Sequence, residues 1–328
     1  MFWNFWRKKE DPSRMFDMDP ATTPHGVPLG HIRAMLNPGT IRSSIQGDTL
    51  FAEVDGYKTV VKVSPPPADA ESEDPIQAVV RVTTAFPSAL ADSLRDKGPE
   101  FAGAFNAMSS LGAITEQGGR LYIGARLTMF EEENSWGTLQ LPLLAFSVIG
   151  GASSIFRSVA QVLEGGSPPR GRSSWTEKDL VQVHQFMTRA CACTVGGGFT
   201  AEFPLEDGAY SAALGHEDTA LFQILLNEPH PLHGPGLFCL LQFPTCLPSD
   251  DAVQQICAKL NQLEMSALDA PPHFGAWCPG RKGTNVSYVQ FFPNALHSVS
   301  GLPLNAAIWA MARAQWGAER LREMGQEP

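Results

Sequence analysis

Five short stretches of this 328-residue chain recur in the same order. Leu50-Phe51-Ala52-Glu53 returns as Phe199-Thr200-Ala201-Glu202, Ala85-Phe86-Pro87-Ser88 as Cys246-Leu247-Pro248-Ser249, and Phe105-Asn106-Ala107-Met108 as Leu260-Asn261-Gln262-Leu263. The strand-like run 121–130 returns at 286–292, and Ile155-Phe156 in the helical stretch behind it returns as Ile308-Trp309. The offsets, roughly 149 to 165 residues, match the size of one small domain. The sequence therefore predicts two divergent copies of one unit.

The boundaries follow from local chemistry. Residues 1–26 read as a flexible N-terminal tail, 27–164 as the first copy, 165–174 with its glycines, prolines and arginines as a linker, and 175–328 as the second. In the first copy a short helix at 27–36 precedes strands at 44–54, 57–63 and 76–86, a helix at 89–108, paired strands about Gly118-Gly119, and a terminal helix. The second copy opens with a helix capped at Ser174 or Thr176. Strands follow at 194–203, 210–214, 219–227 and 236–243, the two middle ones readable as one bent strand. A helix at 250–265, strands at 274–277 and 286–292, and a helix at 304–324 complete it. The predicted class is α+β: two related domains, each an antiparallel sheet with helices, in the order helix, three strands, helix, two strands, helix.

That order resembles the type III secretion chaperone-like fold and the related bacterial family of sensory-transduction regulators, over about 290 residues. Both families bind other proteins and carry out no chemistry. The resemblance implies a non-enzymatic chaperone-like or adaptor module for an unidentified protein partner.

The net charge of -10 argues against nucleic acid, whose phosphates call for clustered Lys and Arg. The N-terminus lacks the apolar core of a signal peptide, so the six cysteines are expected as reduced thiols in a cytoplasmic chain. Residues 134–156 hold no charge, but Gln140, Pro142, Ser147, Gly150 and Gly151 leave an apolar core of 11 residues, so a buried helix is expected over a membrane span.

Few residues carry chemistry. On the loop around His230 and His233, Glu228 precedes imidazoles able to share a metal ion, which keeps open a hydrolytic or metal-dependent enzyme as an alternative. No other cofactor is expected. Cys191-Ala192-Cys193 lacks the spacing of a C-x-x-C redox motif, and buried packing is its default. Val195-Gly196-Gly197-Gly198 matches no phosphate-binding pattern and reads as a strand bulge. A second alternative is a peripheral membrane protein, through Phe2, Trp3, Phe5, Trp6, Arg7, Lys8 and Lys9. Trp309 and Trp316, seven apart on a helix with Leu302 and Ile308 nearby, form an apolar face to be covered by its own sheet, by the other copy or by a partner, and are the candidate partner-binding residues.

Overall fold

The structure, a computed structural model, describes residues 20–36, 41–130 except 55, 69–74, 89, 93–102, 104 and 108–111, then 170–205, 219–230, 234–243, 247, 249–280 and 285–326. The protein is α+β, with two six-stranded antiparallel sheets. By internal contacts the chain divides into two compact units, 1–85 with 126–153 and 86–125 with 154–328.

The first sheet holds β1 (Ile41–Gln46), β2 (Thr49–Val54), β3 (Tyr57–Ser64), β4 (Ile76–Ala85), β5 (Ala113–Gln117) and β6 (Arg120–Phe130), in the order β1-β2-β3-β4-β6-β5. The second holds β7 (Ala192–Val195), β8 (Gly198–Pro204), β9 (Thr219–Leu225), β10 (Gly236–Gln242), β11 (Ala276–Pro279) and β12 (Val286–Pro293), in the order β7-β8-β9-β10-β12-β11. The two orders are the same: four strands in sequence, then the sixth, then the fifth at the edge.

Before its middle helix the first sheet has one more strand than the sequence reading assigns; the second has four described strands there, where the reading has four candidates with the two middle ones readable as one. The run at 44–54 is two strands because Gly47 takes φ 58° and folds a hairpin at Gly47-Asp48. The run at 194–203 divides in the same way at Gly197, φ 68°. Left-handed backbone is open to glycine at little cost, so the glycines read as a bulge are a hairpin turn. The candidate strand at 210–214 lies outside the described residues.

Four helices are described over their full length: α1 (Leu29–Met35), α2 (Glu177–Met187), α3 (Asp250–Ser266) and α4 (Leu302–Gln326). Thr176 caps α2, its N–H donating to Asp179 Oδ2 at 2.7 Å. Ser249 caps α3, its Oγ accepting from the Ala252 N–H at 3.2 Å. Repeated alanine favours α4, and Pro303 sits in its first turn, where no amide is needed. Gly317 lets α4 lie close to the sheet, since a Cβ there would stand 2.7 Å from Trp277 Cη2 and 2.9 Å from Phe243 Cζ.

The second core is rich in rings. Phe199, Phe203, Phe222, Phe243, Phe291, Phe292 and Trp277 are fully buried, with Phe203 stacked on Phe222 at 5.7 Å. Among the described residues no helix is long and apolar enough to cross a membrane; 134–156 lie outside them, as do Ile155 and Phe156.

Candidate functional site

Two arrangements are candidates, and accessibility separates them. The first is a buried polar cluster in the second copy. Glu264 on α3 is completely buried, yet its carboxylate meets four donors. Arg313 of α4 approaches Oε1 through Nε at 2.8 Å and Nη2 at 2.7 Å, while Oε2 accepts from Trp277 Nε1 at 2.5 Å and lies 3.1 Å from His273 Nδ1. Burial alone would raise the Glu264 pKa; the charges of Arg313 and His273 outweigh it and hold the carboxyl at about 2. Arg313 also donates to the Pro272 carbonyl at 2.7 Å, and its guanidinium lies 3.8 Å from the centroid of the Tyr288 ring. Burial pushes the Tyr288 phenol up, and its oxygen accepts from the Gly275 N–H at 2.7 Å.

Such a set of side chains has catalytic potential, but Glu264 and His273 are 0% exposed and Arg313 1%. With no described groove reaching it, the cluster acts as a clamp joining α3, α4, β11 and β12. Ion pairs sealed this way hold a geometry, because removing one partner strands the other charge.

Among the described residues the second arrangement is open. β1 ends the first sheet, and grooves flank it on both faces. One, of about 650 Å³, lies between α1 and β1, with Arg33, Leu36, Ile41 and Ile45 in its wall. The other, of about 390 Å³, lies over Ser44, Phe51 and Lys58. Arg42 lines both. Phe51, 39% exposed, is an apolar side chain facing outward beside the edge.

β5 and β11, also edge strands, are closed by helix side chains. Asn106 Oδ1 accepts from the Ile114 N–H at 2.9 Å, and Gln262 Oε1 from the Glu116 N–H at 3.3 Å, so alternate amides of β5 are occupied. Asn261 Oδ1 accepts from the Trp277 N–H at 2.8 Å and its Nδ2 donates to the Trp277 carbonyl at 2.9 Å, which occupies β11. Among the described residues no side chain occupies β1 in this way. β7 is also an edge, but it is four residues long against six for β1.

The sequence-derived candidates lie elsewhere. His230 is buried with its ring 4.7 Å from Phe291, Glu228 is exposed, and His233 lies outside the described residues. No group of three or more His, Cys, Asp or Glu side chains suited to a metal ion is present among the described residues. Trp309 and Trp316 are buried within their own unit, against Phe274 at 5.7 Å and Trp277 at 6.4 Å, while Leu302 is fully buried and Ile308 half-buried. Of the three covers open to that face, its own copy supplies this one. The tail from Phe2 to Lys9 lies outside the described residues.

Sequence reasoning missed both arrangements. The signal for the cluster was Arg313, a charge four residues after Trp309 and three before Trp316, in the middle of an apolar helix face. β1 alternates, with Ile41, Ser43 and Ile45 on one face and Arg42 and Ser44 on the other, but a half-buried strand anywhere in a sheet does the same, so nothing in the sequence marks the edge. No protein-family model, no curated protein and no solved structure matches this chain.

Proposed function

We propose that the protein is a non-enzymatic binding module that takes an extended segment of another protein as an added strand on β1. The observation that carries the reading is the contrast among edges: β5 and β11 are capped by Asn106, Gln262 and Asn261, whereas β1 stands between two grooves. Strand addition draws affinity from main-chain hydrogen bonds and specificity from pockets that receive alternate side chains. The grooves on the two faces of β1 fit that division. Arg33 and Arg42 line the larger groove, so the guest carries acidic side chains on that face.

The sealed cluster supports the non-enzymatic part, because a substrate would have to part α3 from α4 to reach Glu264. The reading also fits the resemblance to type III secretion chaperone-like proteins and sensory-transduction regulators. The proposed repeat is a helix, a run of strands, a helix, two strands and a helix, in a cytoplasmic chain.

A random-peptide display selection followed by hydrogen exchange tests it. Selected peptides should be extended, β-forming and acidic, and should protect the amides of 41–46. Arg42→Glu should weaken them by about tenfold or more with the fold unchanged, since the side chain is exposed. Protection confined to other segments would sink the proposal.

A further inference from the structure

Cys191 and Cys193 are half-exposed, unlike Cys239, Cys257 and Cys278, which are buried. All five are free thiols, and buried packing, the default expectation for the pair, does not describe it. Both thiols turn toward the last turn of α2. Cys191 Sγ donates to the Met187 carbonyl at 3.5 Å and Cys193 Sγ to the His184 carbonyl at 4.0 Å. The two carbonyls lie in one turn of the same helix, so both thiols are drawn to one spot.

Cα atoms two residues apart in the chain are separated by at most about 6.8 Å. A disulfide spans Cα separations up to about that value. The chain bends at Cys191, just before β7 begins at Ala192, which shortens the span. A short span, thiols turned to carbonyls of one helical turn and access from solvent are the conditions that favour a bond between the two.

We propose that Cys191 and Cys193 form a reversible intrachain disulfide, with a low-molecular-weight disulfide such as glutathione disulfide as the oxidant. One cysteine thiolate attacks a sulfur of glutathione disulfide, forming a mixed disulfide and releasing one glutathione thiolate. The second cysteine thiolate then attacks the protein sulfur of that mixed bond, forming the Cys191–Cys193 bond and releasing the second glutathione. Two electrons pass from the protein thiols to the glutathione disulfide, and the two thiol protons go to the released thiolates. Glutathione in excess reverses the bond by the same two exchanges run backwards. Oxidation takes two S–H donors away from the end of α2 and ties β7 to the turn before it.

Burial and the neighbouring thiol push Cys191 up to about 11, so exchange is slow at neutral pH. The test uses the full chain with Cys246→Ser, incubated with glutathione disulfide at about pH 8.5, then alkylated and mapped by mass spectrometry. The peptide carrying both cysteines should lose the mass of two hydrogens, resist alkylation and recover on reduction. Cys191→Ser and Cys193→Ser should each hold one stable glutathione adduct instead, with unchanged circular dichroism reporting that both fold. Separate adducts on Cys191 and Cys193, a bond to any other cysteine, or thiols that stay reduced in the folded chain yet oxidise in urea would overturn the proposal.

Discussion

The fifth strand of each sheet is held by the same device and surrounded by different chemistry. Asn106 and Asn261, which the sequence reading aligns, each bond a backbone amide of the edge strand, at Ile114 and Trp277. Beside Ile114 the facing residue is Ile123, whereas beside Trp277 it is Tyr288, and the Glu264–Arg313 cluster fills in behind. One asparagine pin is therefore compatible with the shared strand order in both settings. The ion cluster stands behind the pin of the second sheet, and it fixes how α4 lies on that sheet.

The sharpest way to break this contrast is to remove one ionic partner. Arg313→Met should cost about 3–5 kcal/mol, because it leaves Glu264 buried and unpaired, while the double change with Glu264→Leu should recover most of the loss. Denaturant melts of the two variants read this directly, and equal losses would mean that packing, not charge, is at stake. Acid is the next lever. Glu264 is held at about 2, below its ordinary 4.5, so its contribution is fully present above about pH 4.5 and is lost as pH falls toward 2. The loss is on the order of 3 kcal/mol, and exchange in acid should loosen α3 and α4 before β2 and β3. The smallest effect compares the pins. Asn261→Ala, which breaks two buried bonds, should cost about 2 kcal/mol, against about 1 for Asn106→Ala, which breaks one among the described residues. Equal costs would show that the second bond of Asn261 adds nothing to the pin.

Much of this was legible beforehand. The strands at 76–86 and 219–227, the cap at Thr176 and the helices at 250–265 and 304–324 were readable from their residues. Two hairpins escaped because Gly47 and Gly197 sit inside otherwise continuous β patterns, where a glycine serves a turn or a bulge equally well. The cluster escaped because Glu264 and Arg313 are 49 residues apart, and a helix pattern gives no account of what its odd charge will meet. The openness of β1 was out of reach for a related reason: an edge is a property of the whole sheet order.

That order also sets a sequence of events in folding. β12 lies between β10 and β11, and among the described residues β12 is the strand β11 pairs with, in a local hairpin that needs no long loop to close. Docking β12 on β10 must first close the long loop that carries α3, a slow step dominated by chain entropy. The β11–β12 hairpin thus reaches the sheet as one piece, and Asn261 on α3 latches its outer strand to the helix that the same loop carries.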